Sequence, residues 1–78
     1  MEQHYKDYLI AGSAIPGPPN SGRYWCAQGS ILKIRPNNSV VEVARLNDNG
    51  VTFDLAGLAE YYGMELSRIA VDECLPPR

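Results

Sequence analysis

Alternation of apolar and polar positions in the first two thirds of the chain predicts β-strands. β-Branched and aromatic residues are concentrated in Tyr24 to Ile34 and in Val40 to Leu46, and an earlier apolar run covers Tyr8 to Ala14. A short fourth strand, Val51 to Phe53, is also predicted. Glycine, proline, asparagine and serine fill the gaps, as is typical of turns.

Local turn signals set the expected connections. Arg35 to Ser39 ("RPNNS") predicts a hairpin connection, and Asn47 to Gly50 ("NDNG") predicts a type I′ turn before the short strand. Gly29 suggests a β-bulge in the long strand. The ends, Met1 to Asp7 and "LPPR" at 75–78, are expected to be frayed.

The apolar period changes to about 3.6 residues after Asp54, which predicts a helix from Asp54 to about Cys74 with Asp54 as its N-cap. Charged residues, among them Glu65, Arg68 and Asp72, are expected to face solvent. The side expected to face the sheet is formed by Leu55, Leu58, Ala59, Tyr62, Leu66, Ile69 and Ala70.

These elements predict an α+β fold: one domain over 1–78 in which a three- to four-stranded antiparallel sheet packs on one C-terminal helix, in ββββα order. One helix covers one face of a sheet, so the other face must be polar, paired with another copy, or a partner site. The expected core residues are Trp25 or Tyr24, Ile31, Val41, Val43, Phe53, Leu58, Tyr62, Leu66 and Ile69.

Gly63 lies in the middle of the predicted helix and leaves two interpretations open. The spacing of Ala59, Gly63 and Ile69 resembles the helix-turn-helix signature, which implies a turn at Gly63 and DNA reading by residues 55–74. Asp72 and Leu66 depart from that pattern, and an acidic second helix would repel phosphates. We therefore expect a continuous helix, in which Gly63→Ala would be neutral or stabilising.

A second resemblance covers most of the chain. The series Phe53, Ala59, Glu60 and Gly63 before an amphipathic helix resembles a pattern in small uncharacterised bacterial and phage α+β domains. That resemblance implies a fold and names no activity.

Composition narrows the classes of partner and compartment. The chain has 78 residues and a formal charge of -2, which gives no general attraction to nucleic acid or to anionic lipid. It shows neither a secretory signal nor an apolar run long enough to span a membrane, so a cytoplasmic protein is expected. Cys26 and Cys74 are expected to be reduced, partly buried thiols.

Residues with catalytic potential are sparse. His4 is the sole histidine and lies in the segment expected to be frayed, and the serines lack a nucleophile-elbow context. We therefore expect no enzyme activity, no metal site and no cofactor.

Two groups of residues are candidates for binding. Pro18 and Pro19 stiffen the connection between the first two predicted strands, which then loses little entropy if it binds a partner. The alternative, which we favour, is that this segment only connects the two strands. Basic and aromatic residues on the predicted sheet could stack and neutralise a single nucleic-acid strand: Arg23, Tyr24, Trp25, Lys33 and Arg35.

The acidic balance favours a protein partner over nucleic acid. The uncharged run Tyr8 to Ile15 would lack protection against pairing if it lay at a sheet edge. The sequence therefore predicts a small protein-interaction module that forms a homodimer through its sheet, with nucleic-acid binding as the alternative.

Overall fold

The computed structural model describes residues 1–17 and 24–73, which form four β-strands followed by one α-helix. The strands are β1 (Glu2–Tyr5), β2 (Tyr8–Pro16), β3 (Trp25–Ile34) and β4 (Val40–Phe53), and the helix is α1 (Ala56–Glu73). The strands pair antiparallel in the order β1-β2-β3-β4. This is the predicted α+β fold in ββββα order.

The N-terminal segment is ordered, contrary to the expectation that it frays. β1 pairs with β2 through a tight turn at Lys6 and Asp7, where Lys6 adopts a φ of 55°. β2 therefore lies between β1 and β3 over Tyr8 to Gly12, whereas β1 does not extend over Ser13 to Pro16. The expectation of an edge for Tyr8 to Ile15 was therefore wrong for the first part of this run only. The edge strands are β1 and β4.

The β3–β4 turn confirms the hairpin predicted from "RPNNS". The Arg35 amide donates to the Ser39 carbonyl over 2.9 Å, and Asn38 takes a left-handed φ of 68°. Asparagine tolerates this region better than most residues. The Asn37 side chain accepts a hydrogen bond from the Ser39 amide and so closes the turn.

The segment "NDNG" does not form the predicted type I′ turn. β4 runs through it, and the register against β3 shifts so that residues 49–51 have no partner. The Asp48 carboxylate accepts from the Gly50 amide over 3.1 Å, which stabilises this bulge. Gly29, in contrast, lies in a regular part of the β2–β3 ladder and forms no bulge.

The helix is continuous through Gly63, as predicted, so no helix-turn-helix forms within 55–74. Its first helical residue is Ala56, which places Leu55 rather than Asp54 directly before it. The N-cap assignment of Asp54 was therefore wrong.

Backbone-to-backbone contact joins α1 to the centre of the sheet. Gly12 and Gly29 are register partners on β2 and β3, directly beneath the helix. A Cβ at Gly29 would collide with the Gly63 carbonyl and the Ser67 hydroxyl, and one at Gly63 would collide with the backbone of Gln28. Any side chain at these glycines would therefore force the helix away from the sheet, so the expected neutrality of Gly63→Ala does not hold.

Small residues accordingly face the sheet, and larger ones fill the space beside them. The buried positions of α1 are Ala59, Gly63, Met64, Ser67, Ala70 and Val71. Ile10 and Ile31 are fully buried beneath the helix. Ser67, also fully buried, lies within 3.1 Å of the Gly63 carbonyl and 3.3 Å of the Ala11 carbonyl, to which its hydroxyl can donate.

This arrangement corrects part of the predicted core. Ile31 is confirmed as a core residue, and Trp25, Val41, Phe53, Tyr62 and Leu66 are partly buried. Four other candidates are exposed: Tyr24, Val43, Leu58 and Ile69.

Candidate interaction surface on the helix

The side of α1 that faces away from the sheet carries large apolar side chains. Leu58 is 49% exposed and Ile69 43%, and Leu55, directly before the first helical residue, is 61% exposed. Tyr62 and Leu66 lie between them and are partly exposed. We call these five residues (Leu55, Leu58, Tyr62, Leu66, Ile69) the outer stripe.

Helical geometry places the outer stripe on one side. Each residue turns the helix by about 100°, so Leu58, Tyr62 and Ile69 project within roughly 40° of one another, far from Gly63 and Ser67. Glu65 and Asp72 project on the same side, within roughly 40° of Leu58, so the outer side of α1 combines the apolar stripe with charged residues. The sheet covers only the opposite side of the helix.

Tyr62, at the centre of the outer stripe, is held by contacts to β4. Its hydroxyl donates to the Asp48 carboxylate over 2.8 Å, and its ring centroid lies 5.2 Å from that of Phe53. The hydrogen bond to Asp48 raises the pKa of Tyr62 above its ordinary value, since it favours the protonated phenol. The bulge in β4 thus positions the middle of the outer stripe.

A polar cluster lies beside the stripe, where α1 meets the β1–β2 turn. The Asp72 carboxylate accepts from Lys6 Nζ over 2.6 Å and from the Tyr5 hydroxyl over 2.8 Å. Arg68 pairs with Glu65 over 2.8 Å and with Asp72 over 3.6 Å.

The same contacts shift the pKa values of the cluster. Hydrogen bonds from Lys6 and Tyr5 lower the pKa of Asp72, and the hydrogen bond to Asp72 raises that of Lys6. The hydrogen bond to Glu65 raises the pKa of Arg68. Lys6, Arg68 and Asp72 therefore remain charged at neutral pH, and the Asp72 carboxylate pairs with both of the basic side chains.

The structure separates the predicted binding residues that it describes. Tyr24 is 47% exposed just before β3, and Trp25 is partly buried on the helix side of the sheet. Lys33 lies near the far end of β3, about 26 Å from Trp25 along the strand, and Arg35 lies just beyond that end. They do not form one basic and aromatic patch with Tyr24 and Trp25. Pro18, Pro19 and Arg23 lie outside the described residues.

The sheet face away from the helix is mixed in character. Leu9 and Leu32 are register partners there, while Gln28 donates to Asn47 over 3.0 Å and Arg45 pairs with Glu42 over 3.2 Å. Ile34 and Val40, also register partners, are 41% and 53% exposed at one end of this face, whereas Leu9 and Leu32 are only partly exposed. The Gln28–Asn47 and Arg45–Glu42 pairs interrupt the apolar surface of this face.

Other kinds of site find little support in residues 1–17 and 24–73. These residues include no group of three or more side chains arranged to hold a metal ion. No helix within them is long and apolar enough to cross a membrane. Cys26 is buried, and Cys74 lies outside the described part of the chain.

Comparisons of the chain with protein-family models, with curated proteins and with solved structures find no match.

The outer stripe was missed at the sequence level because apolar periodicity shows which residues share a side of a helix but not which side is covered. The sequence does contain a signal that indicates which side of the helix faces the sheet. Ala59, Gly63, Ser67 and Ala70 recur at helical spacing and form a second stripe, of small residues. Such a stripe suits close contact with a sheet that itself carries glycine.

Proposed function

We propose that this chain is a small protein-interaction module that associates with itself through the outer side of α1. The observation that carries the proposal is the exposure of Leu55, Leu58 and Ile69 on a helix whose opposite side is already packed. Contiguous apolar surface of this kind marks interaction sites on soluble domains.

The energetic reason for association is the removal of this surface from water. Apolar burial contributes roughly 25 cal/mol per Å², and Leu58 and Ile69 each expose close to half of their surface. The neighbouring charges are paired within the chain, because Arg68 already contacts both Glu65 and Asp72. A partner therefore covers the stripe without leaving these charges unpaired.

Self-association through the sheet face is the competing arrangement. Ala11 lies near the centre of that face, paired with Glu2 and Ser30 in the two ladders. Val43, on the edge strand β4, is 43% exposed, the same fraction as Ile69. A lysine at Ala11 or at Val43 is therefore a control for a lysine at Ile69, because each introduces the same charge on the sheet instead of on the helix.

Sedimentation velocity from about 5 to about 200 µM tests the proposal, a range suited to weak interfaces. We expect a wild-type dimer, a dissociation constant raised at least about tenfold by Ile69→Lys, and changes below about threefold for Val43→Lys and Ala11→Lys. A monomeric wild-type protein throughout this range would overturn the proposal. Loss of the dimer in Ala11→Lys alone would place the contact on the sheet.

Nucleic-acid binding is expected to be weak. The charge of -2, and the separation of Tyr24 and Trp25 from Lys33 and Arg35, leave residues 1–17 and 24–73 without a continuous basic and aromatic surface that follows a phosphate backbone. Fluorescence anisotropy with generic single- and double-stranded oligonucleotides should show no complex tighter than the micromolar range at physiological salt. A submicromolar, salt-sensitive complex weakened by Lys33→Ala would contradict the interaction-module proposal.

A further inference from the structure

We infer that two copies of α1 pack antiparallel across a twofold axis that passes beside Tyr62, so that the outer stripe of one copy covers the outer stripe of the other. This inference rests on the proposed function and names the partner surface.

The spacing of the outer stripe is symmetric. Its residues follow one another at intervals of three, four, four and three, with Tyr62 in the middle. In an antiparallel pair centred on Tyr62, residues equally distant from it along the chain face each other. Leu58 then faces Leu66 of the second copy, and Leu55 faces Ile69. Every apolar residue of the stripe meets an apolar residue, which is the self-complementarity that a twofold interface requires.

The charges select the antiparallel orientation. On the outer side of α1, Glu65, Arg68 and Asp72 all follow Tyr62, whereas Leu55, Leu58 and Tyr61 precede it. A parallel pair would place Glu65 beside Glu65 and Asp72 beside Asp72. Antiparallel packing moves these acidic groups toward opposite ends and also opposes the two helix dipoles.

The position of α1 leaves room for this contact. The helix lies on one face of the sheet, and the outer stripe is on the side of α1 away from β2 and β3. From Leu55 to Ile69 the stripe is about 21 Å long. The bond from Tyr62 to Asp48 and the contact with Phe53 hold its centre in place before association.

The exposed area of the outer stripe determines the expected affinity of the dimer. Leu55, Leu58 and Ile69 expose 61%, 49% and 43% of their surface, together on the order of 300 Å² on one copy, before the partly exposed Tyr62 and Leu66 are counted. A pair thus covers roughly 600 Å² from these three residues, less than the about 1,200 Å² at the lower limit of standard complexes. We expect a dissociation constant in the micromolar range.

Charge complementation across the axis tests the arrangement. Leu58→Lys and Leu66→Glu should each weaken the dimer at least about tenfold in sedimentation equilibrium. The double variant Leu58→Lys/Leu66→Glu places each lysine opposite a glutamate of the second copy. It should bind at least about fivefold more tightly than either single variant, and should weaken with added salt. The matched control Leu55→Lys/Leu58→Glu carries the same charges but opposes them to apolar residues, so it should show no rescue.

A second measurement uses the unmodified protein. Isotope-filtered nuclear Overhauser spectra of a mixture of labelled and unlabelled chains should show methyl contacts between Leu58 of one copy and Leu66 of the other. Contacts between Leu58 and Leu58, or rescue no greater than in the control, would overturn the antiparallel arrangement while the proposed function stands. A dimer unaffected by both single variants, or a monomeric wild-type protein, would overturn the helix interface itself.

Discussion

The two sides of α1 differ in what they contribute. The inner side is made of small residues such as Ala59, Gly63 and Ser67, and it brings the helix backbone against the sheet. The outer side carries Leu58 and Ile69, which are more hydrophobic and yet exposed. The sheet therefore selects the helix side that fits its glycine-lined centre and not the more hydrophobic one. Close packing on the inner side allows many short dispersion contacts, and the large residues of the outer side remain exposed.

The largest effect is expected from adding one methyl group to the inner side. In Gly63→Ala the new Cβ would collide with the backbone of Gln28, so the helix must move away from the sheet. We expect a loss of about 3 kcal/mol in the free energy of unfolding, measured by urea denaturation.

The same substitution at Gly57 is the control. A Cβ at Gly57 meets no atom within 4 Å, and alanine favours the helix by up to about 1 kcal/mol, so Gly57→Ala should be neutral or stabilising. If Gly63→Ala were as stable as Gly57→Ala, the close contact between α1 and β3 would be refuted.

A smaller loss is expected from the hydroxyl on the inner side. Ser67→Ala removes a fully buried hydrogen-bond donor that lies close to the Gly63 and Ala11 carbonyls. The expected cost is about 1 kcal/mol in the free energy of unfolding. Ser13→Ala, at an exposed position, should change it by less than about 0.5 kcal/mol. Equal effects at the two serines would mean that the buried hydroxyl contributes nothing to the helix–sheet contact.

The smallest effect is expected at the polar cluster beside the outer stripe. Folding lowers the pKa of Asp72 below its ordinary value of 3.8. Its contribution to stability is therefore complete above that value and is lost as the pH falls through the lower pKa of the folded state. Asp72→Asn should lower the melting temperature slightly at neutral pH and reduce its decline below about pH 4.

Glu42→Gln provides the comparison, because the Glu42–Arg45 pair lies within β4 and joins no two elements. It should leave the acid dependence of the melting temperature nearly unchanged. An acid dependence as large in Asp72→Asn as in the wild-type protein would exclude a stabilising role for the contacts of Asp72 with β1 and its turn.

The fold class followed from the sequence because strand patterning, the "RPNNS" turn and the change to helical period are local signals. Two features of the strands did not follow from the sequence. Glu2 to Tyr5 lacks apolar alternation and becomes a strand by pairing with β2. Asn47 and Asp48 of "NDNG" are held in β4 by their ladder with β3, and the chain then bulges before it pairs again at Thr52. In both cases tertiary pairing outweighs local propensity.

The outer stripe was harder to predict from the sequence than the fold class. Its residues were recognised as one side of a helix, but Leu58 and Ile69 were assigned to the core because hydrophobicity was taken to decide orientation. The deciding factor is the coincidence of Gly12 and Gly29 at one register position beneath Gly63 and Ser67. These positions are far apart in sequence, and strand alignment alone brings them together.

The concentration dependence of the melting temperature tests most directly whether the outer side of α1 is an interface. Association of folded chains stabilises them by mass action, so the wild-type melting temperature should rise between about 5 and about 200 µM. For Ile69→Lys, which leaves the inner side intact, the melting temperature should stay constant over the same range. A constant melting temperature for the wild-type protein, or an undiminished rise for Ile69→Lys, would contradict the assignment of the outer stripe as the interface.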